Sequence, residues 1–254
     1  MNLILLEADE IGDDGRVSLS GVRGNHLRAV LKVALGQQVR VGVVDGPFGT
    51  GTVQCIADDI VNLRCTFEPR NLVEAAGEPP GIAKPRVDLL LALPRPKVMR
   101  RLWAQLAAMG VGRIILTNAE RVERNYFDAH VLTPEVYRPL LIEGLQQARD
   151  TALPAVSLHR RFKVLIEDDL DVLCPAGCRL AADPAGSMSV AAAVRPAERI
   201  LLAIGPEGGW NTFEIALLEA HNFQSVSMGS RTLRTDTACV ALLALVHDAL
   251  RSFA

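Results

Sequence analysis

Leu201-Leu202-Ala203-Ile204-Gly205-Pro206-Glu207-Gly208-Gly209-Trp210 opens the stretch that decides the fold. Four apolar residues run directly into a glycine-rich turn, the pattern of a buried strand that ends in a loop. Helical spacing follows over residues 210–221. Ser225-Val226-Ser227-Met228 then reads as a second strand. It gives way to the loop Gly229-Ser230-Arg231-Thr232-Leu233-Arg234-Thr235-Asp236-Thr237 and to a last, strongly apolar helix over 236–251. Two strands thus end in two polar, glycine-bearing loops, and each loop leads into a helix. In an open α/β sheet, ligands bind outside the carboxyl ends of the strands. Glycines let bare backbone N–H and C=O groups approach a ligand, and helix N-termini add unpaired N–H donors. The pattern predicts one site built from both loops.

Upstream the same alternation continues. Residues 87–93 form a mostly apolar run, as expected of a buried parallel strand, closed by Pro94-Arg95-Pro96-Lys97. Residues 98–109 take helical spacing, with Leu102, Gln105, Leu106 and Met109 on one face and Gly110 as the stop. A strand over 113–117 comes next. Thr133 caps a helix that begins at Pro134 and runs to about residue 147. Short strands are expected over 154–158 and 179–182. Strand–helix alternation implies a right-handed α/β layer structure.

Residues 74–86 are rich in Pro and Gly and mark the clearest change of composition. They divide an α/β domain, 87–254, from a β-rich module, 1–73. In that module, strands are expected over 39–44, 52–56 and 61–67, with Asp45-Gly46 and Gly49-Thr50-Gly51 punctuating a hairpin. A short helix over 25–33 places Leu27, Val30 and Leu31 on one face and ends at Gly36. Several short strands with one helix suggest a small barrel.

With 254 residues, 49% of them hydrophobic, the chain can bury a sizeable core. A net charge of −2 does not advertise a nucleic-acid binder, although a local basic patch is compatible with it. The five cysteines, Cys55, Cys65, Cys174, Cys178 and Cys239, are odd in number and scattered, which predicts reduced thiols. Cys174 and Cys178 would make half a metal site, but no second pair or nearby His completes it, so no metal is expected. No signal peptide is read at the N-terminus. The apolar run 238–246 is too short to span a membrane. A soluble, cytoplasmic protein is expected.

The two loops together resemble the cofactor site of SPOUT-class RNA methyltransferases, in particular the 16S rRNA uridine-N3 methyltransferases of the RsmE type. Those enzymes carry a GPEGG turn, here Gly205 to Gly209, and then an L-G-x-R-x-L-R-x-[ED]-T-A loop. Here that loop reads Met228-Gly229-Ser230-Arg231-Thr232-Leu233-Arg234-Thr235-Asp236-Thr237-Ala238, with Met at the first position. The segment His26-Leu27-Arg28-Ala29-Val30-Leu31-Lys32 is more loosely similar to part of the family's PUA-like N-terminal barrel. The resemblance implies a trefoil-knotted SPOUT domain, S-adenosyl-L-methionine as cofactor, a homodimer, and 16S rRNA or the small ribosomal subunit as partner. It implies a cofactor pocket of Leu93, Ile204, Gly205, Pro206, Glu207, Gly208, Gly209, Met228, Gly229, Leu233, Arg234, Thr237 and Ala238. Arg23, Arg28, Lys32, Arg95, Lys97 and Arg231 are its RNA-facing candidates. The chain also departs from the family: Val98, Gln105, Ala108 and Asp150 stand where Lys, Lys, Glu and Arg are usual.

The chemistry fits these residue types. N3 of uracil carries a proton at neutral pH, so methylation needs a base or a cation that stabilises the developing anion. Glu207 and Asp236 are the candidate bases, and Arg234, with Arg231 second, the candidate cation. Plainer roles stand beside these. Glu207, Asp236 and Thr237 are placed to cap helices, and Arg234 to form a surface ion pair. Asn211 and Glu214 read as a capping box, and Trp210 as a packing residue or a pocket wall. No P-loop lysine or G-x-G-x-x-G turn is present. Rival readings are a methyltransferase with another RNA target, a non-catalytic RNA-binding or assembly protein, and a small-molecule α/β enzyme using Glu207.

Overall fold

Residues 3–68, 86–175, 177–195 and 199–252 are described by a computed structural model. The chain divides into two units, Met1–Lys84 with Leu145–Leu153, and Pro85–Gly144 with Pro154–Ala254. The expected linker, 74–86, lies outside the described residues except for Arg86.

The first unit carries β1 (Ile4–Leu6), β2 (Arg16–Leu19), α1 (Gly21–Asn25), β3 (Gln38–Val43), β4 (Phe48–Ala57) and β5 (Ile60–Phe67). They form a mixed sheet in the order β1-β3-β4-β5-β2, in which only β1 and β3 run parallel. Alternation along β2 and β5 sends Val17, Leu19, Val61, Leu63 and Cys65 into one core with Leu6, Leu27 and Val41. Gly49 and Gly51 are not turn residues, as the sequence suggested, but lie inside β4. A Cβ at Gly49 would stand 2.3 Å from the Thr66 carbonyl oxygen, so the bare backbone is what lets β4 and β5 pair here.

The expected helix over 25–33 starts earlier, at Gly21, and continues through a π-helical turn, His26–Val30. The wider turn rotates the side chains, so Leu27 is buried while Val30 is 63% exposed. Lys32, at φ 49, leaves the helical conformation before Gly36 is reached. The sequence reading placed residues 145–153 with the second region, but they belong to the first unit. There the buried Thr151 donates through Oγ1 to the Gly46 carbonyl at 2.9 Å and accepts from the Asp45 N–H at 2.7 Å.

The second unit begins with β6 (Val87–Ala92), α2 (Pro96–Ala108), β7 (Val111–Thr117), α3 (Pro134–Ala148) and β8 (Ala155–His159). After β8 come α4 (Phe162–Val164), a π-helical turn (Leu165–Asp169) and α5 (Leu170–Leu173). Then follow β9 (Cys178–Ala182), β10 (Met188–Ser189), α6 (Val190–Ala193), β11 (Ile200–Ile204), α7 (Thr212–Ala220), β12 (Phe223–Ser227) and α8 (Thr235–Arg251). The sheet is parallel throughout, in the order β10-β12-β9-β11-β6-β7-β8. Every residue of β6 and β11 is buried, as both faces of a parallel sheet require. This is the α/β architecture expected from the alternation.

On α2 the buried side is Met99, Leu102, Trp103, Leu106 and Ala107, whereas Gln105 is exposed; the polar residue does not join the expected face. Gly110 ends the helix at φ 70. At Gly144 the backbones of α2 and α3 come together, for a Cβ there would stand 2.1 Å from the Ala104 carbonyl oxygen.

Candidate active site

In the sheet, β9 lies between β11 and β12, and all three strands point the same way. Their C-terminal loops therefore emerge side by side. A cavity of about 490 Å³ lies there, lined by residues 182–185 at the end of β9, 204–210 at the end of β11, and 226–229 and 231–233 at the end of β12, with Thr235, Ala238 and Leu242 from α8. That volume suits a nucleoside-sized ligand.

Of the residues expected to hold a cofactor, Ile204, Gly205, Pro206, Glu207, Gly208, Gly209, Met228, Gly229, Leu233 and Ala238 all line this one cavity. Leu93, Arg234 and Thr237 do not. Leu93 is buried, its N–H donating to the Thr117 carbonyl at 2.9 Å. Arg234 and Thr237 are exposed at the start of α8. Arg231, expected to face RNA, is a lining residue. Gly209 (φ 72) and Gly229 (φ 109) take the left-handed conformations that their turns need.

The turn after β11 is held from two sides. Asn211 and Glu214 form the expected capping box, each accepting the other's backbone N–H at 2.8 Å. Glu214 also accepts the Glu120 N–H at 2.8 Å, which ties α7 to the loop after β7. From that loop the Arg121 guanidinium donates to the carbonyls of Gly208 and Gly209. The sequence reading gives no site role to Arg121, in the loop after β7, or to the turn 183–185. The one available signal was position, since each directly follows a strand that the sequence did show.

Both candidate acids are paired, and so are Arg23 and Arg95 among the candidate cations. Asn211 is the cap of α7, so Glu207 is not; its carboxylate instead lies 3.2 Å from the Arg95 guanidinium. Asp236 accepts from Arg101 Nη2 at 2.7 Å and from the Thr237 N–H at 3.0 Å. Burial works against the charged form of Asp236, but these hydrogen bonds outweigh it and hold the carboxyl below its ordinary value. Arg231 and Arg234 are exposed and make no ion pair among the described residues. Arg23, read as an RNA contact, is held internally by the Glu10 carboxylate and the Leu5 carbonyl. Arg28 is half-buried, and Lys32 and Lys97 are exposed.

Trp210 is 8% exposed, lies at the cavity and stacks on Phe162 at 5.3 Å between ring centroids. Its buried indole N–H meets no acceptor among the described residues. A cavity whose lining is mostly backbone and apolar side chain suits a largely uncharged ligand such as a nucleoside. All five cysteines are free thiols, and only Cys55 is exposed. Among the described residues, no cluster of His, Cys, Asp and Glu is placed to hold a metal, and no helix is long and apolar enough to cross a membrane.

Fold and site together define an α/β protein with a nucleoside-sized pocket at the carboxyl ends of a parallel sheet. The chain belongs to the RNA methyltransferase domain family, whose pattern matches residues 83–247. It is 29% identical over 249 residues to the ribosomal RNA small subunit methyltransferase E of Treponema pallidum, covering 97% of this chain and 90% of that one. With the Synechocystis enzyme of the same name the identity is 28% over 255 residues, covering 98% and 78%. Its fold matches the crystal structure of ribosomal RNA small subunit methyltransferase E from Neisseria gonorrhoeae, solved with S-adenosyl methionine. There the TM-score is 0.77 at 18% identity, with 98% of each chain covered.

Proposed function

We propose that this RNA methyltransferase transfers the methyl group of S-adenosyl-L-methionine to N3 of a uridine in 16S rRNA. The observation that carries the reading is the convergence of the turn at 205–209 and the loop at 228–238 on one cavity. The small-subunit enzymes similar over nearly the whole chain support the choice of RNA.

The cofactor, when bound, supplies an electrophilic methyl group. The chain's own residues do the rest. Backbone groups of the three glycine-bearing and proline-bearing loops read the nucleoside without charge. Glu207, kept in place by Arg95, is the acceptor for the N3 proton. Asp236, engaged by Arg101 and off the cavity lining, serves the site by fixing the start of α8 rather than as the base. Arg231 and Arg234 are the free cations for an anionic uracil or a phosphate.

The same reading makes 87–254 a trefoil-knotted SPOUT domain, 74–86 a linker, and 1–73 a PUA-like RNA-binding domain offering Arg28 and Lys32. It also makes the protein a cytoplasmic homodimer; Val240 and Leu245, apolar yet exposed on α8, suit a dimer face. The test is to incubate the protein and labelled S-adenosyl-L-methionine with 16S rRNA and, separately, with small subunits, then digest to nucleosides. Label in 3-methyluridine is the expected result; label in another nucleoside, or none, refutes the reading.

A further inference from the structure

Three charged side chains line the cavity: Asp183, Glu207 and Arg231. Glu207 faces Arg95 and Arg231 is exposed. Asp183 is different. It is half-buried and has no cationic partner among the described residues. Its backbone is fixed on both sides, the N–H donating to the Val226 carbonyl at 3.0 Å and the C=O accepting the Gly186 N–H at 2.9 Å. Oδ1 accepts the Ala185 N–H at 2.9 Å, which sets the carboxylate's orientation. Ser227 Oγ, 3.3 Å from the Pro184 carbonyl, ties this turn to the end of β12. A Cβ on Gly186 would stand 2.9 Å from the Val226 carbonyl carbon, so the turn lies flat against that strand. A fixed carboxylate with Oδ2 unanswered by any described residue therefore stands between the two loops that define the site.

We propose that Asp183 binds the ribose hydroxyls of the nucleoside cofactor, an inference that rests on the cofactor reading above. A half-buried carboxylate without a cation needs hydrogen-bond donors. The ligand offers three: the neutral vicinal diol of the ribose, the adenine N6 amine and the ammonium of the tail. The sulfonium has no N–H or O–H to give, and a carboxylate set against it would stabilise a positive charge that disappears during transfer, and so would bind the ground state better than the transition state. A diol keeps its charge and position throughout the reaction, so gripping it holds the cofactor at no such cost to the chemical step.

Asp183→Asn tests this, because the amide oxygen still accepts the Ala185 N–H and the turn is retained. The readout is binding, measured by calorimetry or by competition, with S-adenosyl-L-methionine, adenosine and 2′,3′-dideoxyadenosine as probes. Asp183→Asn should weaken the first two alike, by about tenfold or more, and leave the dideoxynucleoside bound equally by both proteins. Loss of S-adenosyl-L-methionine affinity with adenosine affinity intact would assign Asp183 to the tail and overturn the proposal; equal weakening of all three probes would assign it to the adenine amine and overturn it too, as would no weakening of any. Wild-type protein that binds none of them would instead remove the cofactor reading, and this proposal with it.

Discussion

Arg101 in the middle of α2 and Asp236 in the first turn of α8 are joined by a 2.7 Å hydrogen-bonded ion pair across 135 residues of sequence. The same turn of α8 brings Thr235 and Ala238 to the cavity. The pair therefore fixes one wall of the site from a strand–helix unit that contributes no lining residue of its own. Asp236, which the sequence offers as a base, is here held by Arg101 and by the Thr237 N–H.

Arg101→Met should lower stability at pH 7 only modestly, by about 1 kcal/mol or less, because Arg101 is 55% exposed and the pair is screened by water. The folded-state value of Asp236 is depressed below 3.8, so the pair's contribution is complete above that pH and is lost as pH falls through the lower, folded value. Urea unfolding at pH 7 and at a series of acid pH values should show the gap between wild type and Arg101→Met closing in acid. A gap that widens there contradicts the role given to the pair.

Glu214 carries more. It is 3% exposed and accepts two backbone N–H groups, those of Asn211 and Glu120, while its own N–H is capped by Asn211. Glu214→Ala leaves two donors unanswered, and about 2–4 kcal/mol of stability should go with them. Because the lost bonds bind the 205–211 turn to the loop after β7, cofactor affinity should fall as well. Chemical denaturation and calorimetry on the same preparation check both. A variant that loses stability yet binds the cofactor normally would show that the tether is not needed for the site.

Gly144→Ala tests the packing of α2 on α3. The new Cβ would stand 2.1 Å from a backbone oxygen, which cannot turn away as a side chain can. A loss of about 2 kcal/mol or more is expected, against the small gain that Gly→Ala brings to an unobstructed helix. The midpoint of thermal unfolding decides between the two.

Arg234 is exposed, without an ion pair among the described residues, and off the cavity lining. Arg234→Ala should therefore leave stability within about 0.5 kcal/mol and cofactor affinity unchanged, while slowing methyl transfer to RNA at least tenfold. Equal turnover numbers for the two proteins would remove Arg234 from the reaction.

The sequence showed most of the second unit because its elements announce themselves locally. Val87 and Leu89 to Leu91 are buried on both faces of the sheet, and such strands read as apolar runs. Asn211 and Glu214 sit at the fixed spacing of a capping box. What it hid depends on distance. Nothing in Arg101 or Asp236 alone records their pairing, nor in Glu214 that its second oxygen meets Glu120. In the first unit the π-helical turn broke the 3.6-residue periodicity on which Val30 had been placed inward. Gly49 and Gly51 looked like turn signals because a glycine demanded by close strand packing has the same letter as one demanded by a turn. Asp183 carries no signal in the sequence because the strand before it is short and its loop holds no familiar motif.

On the proposed function, two loops far apart in sequence, 205–209 and 228–238, enclose one molecule of S-adenosyl-L-methionine. Hydrogen exchange followed by mass spectrometry, with and without the cofactor, tests it most directly. Slowed exchange in both segments, with the same dependence on cofactor concentration, is the expected result. Protection confined to one of them, or found elsewhere in the chain, would contradict it.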